Sequence, residues 1–584
     1  MLITQFELLP NEILIECFEY LNGIDILNSF GFLNNRYNKL IRNILLHFDC
    51  KHVNKSMFHQ LCQKIAFDSE IKSQICSLYL SNGNGYEQLS TFSSYISLDQ
   101  LSNLQTLSLD GIDQNIIWGL IWTLPHLLNL RHFNFTASSD SADLLFEAIP
   151  TSTIQSLSMP TMEFDSIFVE QFTSVVSLTI STCSLRQLYE IFKYLPQLKC
   201  LFTNKIHFAS GSETNEYVAV HLKRLIIYEF TFKFEILENL LVSTPNLESL
   251  TILAYDNNHM IDANRWQKLI EFTLSHLNTF KFKFGITCGI KNQNIIHMLQ
   301  QFQSDFWYQQ HHWYTEYSLS EHRALIYTMP YPSNHYIVDS NAMRYGNTQY
   351  KIHSNLFEKV TSLKLNVEAI AEISAYYFPN VKSLSLNSGY DKNNYSYPYL
   401  KSKHIQSLKM IVHLCKLNHL EILSPCKMKS LSVLLQILQE APNISSLTIS
   451  RDILLQSFTN QKLCEKLNKM IKKLDIVKDR PFSQIGLKEI IQACHRFSNI
   501  EKLQCDFDRV DDFPSLLYEF EKLSNLKLFS FRSVYNYRMN RWLRDHASEL
   551  NTYSFMIQFD SLNDEYDDDF WSPYDSPDSV DYDT

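Results

Sequence analysis

The sequence predicts an α/β chain: a short N-terminal module of three helices, then a long array of stacked helix–turn–strand units. Its parallel sheet forms the concave face and its helices the convex face. Three observations predict this. A six-residue frame, L-x-x-L-x-L with Ile, Val, Phe or Met substituting, recurs along almost the whole chain. Frames begin 21 to 30 residues apart from position 75 to 277, and mostly 21 to 29 apart from 360 to 550. Just ahead of the frame an amphipathic stretch repeatedly ends in Pro or Ser, as in TLPHLLNL, YLPQLKCL, STPNLESL, YFPNVKSL, EAPNISSL and RFSNIEKL.

The clear frames are Leu104-Leu107-Leu109, Val175-Leu178-Ile180, Leu222-Leu225-Ile227 and Leu247-Leu250-Ile252. Later ones are Val360-Leu363-Leu365, Val381-Leu384-Leu386, Ile444-Leu447-Ile449 and Ile471-Leu474-Ile476. Weaker copies begin at Ile75, Leu130, Ile154, Leu198, Leu277, Leu417, Ile500, Leu526 and Leu550. The spacing is that of leucine-rich repeats, which need about 20–29 residues per unit. Proline cannot continue a helix, so it separates each helix from the next strand. Strand alternation then buries the second and third frame residues and exposes the one between them. The ladder Asn or Cys three positions after the frame is nearly absent, with Cys183 an isolated match.

Residues 283–356 interrupt the rhythm. They contain QQHHWYTEYSLSEHRALIYTMPYP, which reads as a helix plus a β-hairpin inserted between two blocks of repeats, 68–282 and 357–560; the alternative is degenerate repeats that the frame misses. Residues 47–67 read as a helical linker. Residues 561–584 hold nine acidic residues and no Lys or Arg, and predict a disordered acidic tail. Ser572-Pro573 and Ser576-Pro577 in it are candidate proline-directed phosphorylation sites.

Residues 1–46 carry the helical module. Pro10 suits a first helical turn, and Ile13, Leu14, Cys17, Phe18 and Leu21 form one apolar stripe. Asn22-Gly23 ends that helix. Asp25 would cap a second helix with Ile26, Leu27, Phe30 and Leu33, and a third holds Tyr37, Leu40, Ile41, Ile44 and Leu45. Patterning alone fits a helical cap on the following domain. The segment Leu9-Pro10-Asn11-Glu12-Ile13-Leu14, then Tyr20-Leu21, Asp25-Ile26-Leu27, Arg36-Tyr37 and Leu40, also resembles an F-box, in order and in register. Tyr37 stands where that family usually has Trp, and Asn34 where Cys is common. The resemblance implies docking to the Skp-type adaptor of a cullin–RING ubiquitin ligase through Leu9, Pro10, Ile13, Leu14, Leu21, Ile26, Leu27 and Tyr37. The irregular repeats would then select a protein substrate, and the ligase chemistry would belong to other subunits. The alternative is a repeat scaffold that binds protein with no ligase role.

Composition limits the other classes. Net charge is −11, but the 62 acidic residues less the nine in the tail leave 53 against 51 basic, so the body is nearly neutral. That predicts no nucleic-acid footprint. Only 12 glycines occur, which disfavours phosphate-cradling loops, and Gly83 and Gly85 do not complete GxGxxG. The 12 cysteines form no CxxC and no disulfide spacing, so a reducing compartment is expected. MLITQFELLPNE has neither a basic nor an apolar leader region, and the densest apolar run, Ile116 to Leu128, is broken by Pro125. The expected location is cytoplasmic, nuclear or both, with no membrane partner.

No GxSxG, HExxH or P-loop is present, so no catalytic residues and no cofactor are assigned, and the chain is not expected to be an enzyme. A scattered cysteine nucleophile is the weakest of the rival readings. His47, Cys50, His52, His59 and Cys62 have some zinc-like spacing, but apolar residues among them favour packed helices, and no metal is assigned. His311-His312 is weaker still as a ligand pair. The candidate substrate surface is the row of middle residues of the frames. There Phe202 and Ile226 place apolar groups where water is expected, and Lys281, Lys283 and Lys364 flank the insert as a local basic patch.

Overall fold

The computed structural model describes residues 6–477 apart from short breaks, then 499–506, 525–530 and 556–561. The breaks are 32, 52, 54, 83–87, 113, 138–144, 146–147, 162–171, 208–216, 288–292, 321–322, 339–341, 347–355, 372–375, 389–398 and 423–425. The acidic tail and its serines therefore lie outside the described residues, apart from Ser561 at the end of the last strand. The chain divides into two units, Met1–Val381 and Lys382–Thr584.

The first unit is built on a parallel-rich sheet of 13 strands. Ten parallel strands follow chain order, from Leu46–Asp49 and Ile75–Ser81 to Ser249–Ala254 and Thr279–Thr287. Three antiparallel strands, Arg323–Thr328, Thr315–Leu319 and Met343–Gly346, extend that edge. A further parallel pair joins His335–Val338 to Ser362–Asn366. In the second unit, parallel strands run in order from Ser383–Asn387 through His419–Ile422, Ser446–Ser450, Lys473–Val477, Lys502–Asp506 and Asn525–Ser530 to Met556–Ser561.

The strands form where the frames stand, and the cause is burial. Leu107, Leu109, Leu178, Ile180, Leu225, Ile227, Leu250 and Ile252 are each buried almost completely. Helices pack their apolar stripes on them. Leu185–Tyr194 starts at a capping box, where Ser184 and Gln187 satisfy each other's backbone N–H, and it buries Leu188, Ile191 and Phe192. Ala263–Thr273 is capped by Asp262 and buries Trp266 against Phe234, Phe280 and Phe284. One continuous apolar cluster runs from Leu14 to Ile326.

An amide ladder ties successive strand units together. The Asn immediately before a frame donates its Nδ2–H to a backbone carbonyl just ahead of the preceding frame. Asn103 reaches Ser73 at 2.7 Å, Asn129 reaches Ser102 at 2.7 Å and Asn246 reaches Val220 at 2.8 Å. Asn380 reaches Glu358 at 2.9 Å, Asn443 reaches Cys415 at 2.6 Å and Asn499 reaches Asn468 at 2.8 Å. Each bond satisfies a carbonyl in the turn or the last helical turn that leads into the preceding strand.

Several sequence expectations need correction. Residues 47–67 are not wholly helical: Leu46–Asp49 is the first strand of the sheet and Lys55–Phe67 a single helix. Asn22, not Asp25, caps the second helix, accepting from the Ile24 N–H. The stretch from 283 begins inside strand Thr279–Thr287; helix Gln293–Gln301, a π-helical turn at Phe306–Gln310 and the hairpin Thr315–Leu319/Arg323–Thr328 follow it. Near the C-terminal end, Leu526 pairs with Leu503 and Leu528 with Cys505, so the middle residue there is Lys527 rather than Ser530. The last strand, Met556–Ser561, starts beyond the frame read at Leu550.

Candidate functional site

The N-terminal module consists of Asn11–Glu19, Gly23–Ser29 and Asn35–Ile41. Tyr37 is buried between Phe18 and Phe30, with ring centroids at 6.4 and 5.5 Å. The neighbouring Arg36 turns the other way. Its guanidinium donates to Asn11 Oδ1 at 2.8 Å and to the carbonyls of Glu7 and Leu9. The third helix thus holds the segment that leads into the first. The module is anchored to the sheet through Asn22 Nδ2 on the Asp49 carbonyl at 2.7 Å and Gln74 Nε2 on the Ile44 carbonyl at 2.8 Å.

This packing splits the expected contact set. Pro10, Ile13 and Leu21 are exposed and Leu9 is half-buried. Leu14, Ile26, Leu27 and Tyr37 are buried in the module's own core and offer no side-chain surface to a partner. The reason is size: three short helices bury enough apolar area only by turning a residue or two of each inward. Leu8, Tyr20 and Leu33 are exposed as well, at 77%, 84% and 56%.

The middle residues of the frames form one row across the sheet. Tyr79, Ser108, Asn134, Ser158, Thr179, Phe202, Ile226, Thr251 and Lys281 stand opposite one another in register. Phe202 and Ile226 are half-exposed, and Phe202 meets Tyr228 edge-to-face at 5.0 Å. Two positions before Ile226, Thr251 and Lys281 runs a second row, in which Arg224 faces Ser249 and Ser249 faces Thr279.

Lys283 is not part of the exposed patch. Only 4% of it is accessible, and its ammonium lies over the rings of Tyr255 and Tyr331 at 4.9 and 5.3 Å. Burial, with Arg323 nearby, pulls its pKa down to about 7. Beside it Tyr327 and Tyr376 both donate to Glu316 Oε1 at 2.7 Å, and the hydroxyls of Tyr327 and Tyr336 are 3.0 Å apart. Arg344 lies over the ring of Tyr376 at 4.4 Å. Lys364 is half-buried on the separate strand pair, opposite Ile337.

Two cations absent from the expected set lie within electrostatic reach of one another and of Lys281: Arg224, two strands away on the same sheet, and Lys359. Lys359 sits in the turn before strand Ser362–Asn366, and Tyr331 holds that turn by donating its N–H to the Leu356 carbonyl at 2.9 Å. Partial burial, then Lys281 and Arg224, lower the pKa of Lys359. Arg224 is exposed. The alternation of its strand could have flagged Arg224; the turn that carries Lys359 could not be placed from sequence.

No family model matches this chain, and no curated protein matches it. Among the described residues no three His, Cys, Asp or Glu side chains converge to hold a metal. Cys50 and Cys62 are buried, and burial pushes both thiols up, Cys62 to about 12, so neither offers a thiolate near neutral pH. His47 lies 3.5 Å from Cys76 Sγ, His59 lies 3.4 Å from the Tyr95 hydroxyl, and His52 is outside the described residues. His311 stacks on Trp313 at 4.1 Å. Among the described residues no helix is long and apolar enough to cross a membrane.

Proposed function

We propose that the chain is the substrate-recognition subunit of an SCF-type ubiquitin ligase. Its first 46 residues act as an F-box that docks on the Skp-type adaptor, and the remainder is a leucine-rich-repeat solenoid that binds a protein substrate. The observation that carries this reading is the pairing at Arg36-Tyr37. One residue anchors the module's core while the other ties down the Glu7–Leu9 segment, leaving Leu8, Pro10, Ile13 and Leu21 as an apolar edge open to a partner. Support for the repeats comes from the in-register row of middle residues and from the amide ladder, both of which need one unit per frame.

The test is co-purification of the full chain with a Skp-type adaptor. Ile13→Asp combined with Leu8→Asp places charge on the edge without touching the core. It should abolish capture, since an apolar anchor contributes about 2 kcal/mol or more, and should leave the melting temperature unchanged. Leu9→Ala with Pro10→Ala should weaken capture in the same direction. Wild-type protein that captures no adaptor overturns the ligase reading and leaves a protein-binding scaffold.

A further inference from the structure

We propose that the acidic, aromatic segment Asp564–Trp571 of this chain's own C-terminal tail docks in a groove of the second unit, between the starts of helices Leu431–Glu440 and Gln461–Met470, and closes that groove to other acidic ligands.

Charge in the second unit is segregated along the sequence. Residues 399–477 hold 12 Lys and Arg against five Asp and Glu, a net of +7, whereas residues 561–584 hold nine acidic residues and no Lys or Arg. The near-neutral balance of the body averages over this basic stretch. A groove of about 840 Å³ lies within it. Lys429 stands just ahead of the first helix and Lys462 in the first turn of the second, both exposed on the groove's lining. Neither forms an ion pair among the described residues, whereas Lys409 and Lys472 in the same stretch pair with Glu440 and Glu501. Glu465 on the lining is engaged by Gln461, whose Nε2 donates to it at 3.0 Å. Met428 and Leu431, both half-buried, supply an apolar wall. The groove therefore offers two open cations beside an apolar surface, and it suits a ligand with carboxylates next to a large apolar side chain.

The tail has that composition and can reach the groove. Asp567, Asp568 and Asp569 run directly into Phe570 and Trp571, which gives three carboxylates for the lysines and two rings for the apolar wall. Strand Met556–Ser561 lies four steps across the sheet from strand Ser446–Ser450, about 19 Å at about 4.8 Å per step. These strands are parallel, so both end on one edge of the sheet, and helix Arg451–Ser457 leads from that edge to the turn that lines the groove. Phe570 follows Ser561 by nine residues. Such a stretch spans up to about 30 Å when extended. Because the tail is tethered to the same unit, its effective concentration at the groove is in the millimolar range, and contacts too weak to hold a free peptide suffice.

The experiment uses the full chain with p-benzoylphenylalanine in place of Phe570. The protein is irradiated and digested, and the cross-linked peptides are read by mass spectrometry. The cross-link should form within one copy and fall on residues 428–431 or 456–465. Lys429→Glu with Lys462→Glu should lower its yield about 10-fold at unchanged melting temperature. Asp567→Asn, Asp568→Asn and Asp569→Asn together should do the same without touching the groove. Salt near 1 M, where the Debye length is about 3 Å, should lower the yield as well. The proposal is overturned by cross-links that fall mainly elsewhere, that join two copies, or that neither set of variants weakens, and equally by the absence of any cross-link.

Discussion

The strands from Ile75 to Ser249 and the stretch from Lys283 to Phe378 use opposite means to cover one face of a sheet. In the first, the middle residues are mostly Ser, Thr and Asn, most of them open or partly open to water, and three of the units are closed by a single amide bond to their predecessor. In the second, Tyr327, Tyr331, Tyr336 and Tyr376, with Tyr255 from the end of the preceding strand, close over the face and bury Lys283 and Glu316. The regular part gains stability from many small equal contributions, so no one of them is decisive. The tyrosine-covered part concentrates polar groups in a dry interior, where each unmet need is expensive.

The largest expected effect is at Lys283. Its folded pKa of about 7 lies below the unfolded value near 10.4, so folding favours the neutral amine. The stability lost to this lysine is therefore greatest below pH 7 and is recovered as pH rises from about 7 to about 10.4. At pH 7 the penalty is roughly 4 kcal/mol. Lys283→Met should raise the melting temperature at pH 7, and the gain over wild type should shrink steadily toward pH 10. A gain that does not vary with pH would mean that the amine is not titrating in the folded protein.

Glu316→Gln should come next, at about 2 kcal/mol, because two tyrosine hydroxyls lose a charged acceptor in a buried site. Thermal unfolding reads it, and a cost under about 0.5 kcal/mol would show that the tyrosines re-pair with each other. The smallest effect belongs to the ladder. Asn246→Ala removes one neutral hydrogen bond at a solvent-exposed edge and should cost about 1 kcal/mol. Adding Asn129→Ala should simply double that cost, since the two sites share no partner.

The α/β class and the parallel strands were legible because a frame of three apolar residues is a local signal repeated many times. The row from Tyr79 to Lys281 followed from it by alternation alone. Reading failed where facing and burial part company. Lys283 lies on the same face as Lys281, two residues away, but Tyr331 covers it from nearly fifty residues further along. Leu14, Ile26 and Leu27 matched a family motif whose letters do not say which of them turn inward. The ladder amides stood in plain view in NLRHF, NLESL, NVKSL, NISSL and NIEKL. They precede the frame, whereas the ladder position of regular repeats follows it. Near Leu526 three leucines in six residues allow two frames, and only strand pairing chooses between them.

That ladder also has a direction. Every amide hydrogen reaches backward along the chain, from Asn103 to Ser73 and from Asn443 to Cys415, and none of the six reaches forward. Each of these six units consequently arrives carrying its own fastener and needs only a predecessor already in place. A chain emerging from the ribosome meets that condition at every step, because the acceptor is always made before the donor. Trimming units from the C-terminal side leaves each surviving amide with its carbonyl, whereas a cut from the other side strands the first amide it uncovers. The array is built to be assembled, and shortened, from one end.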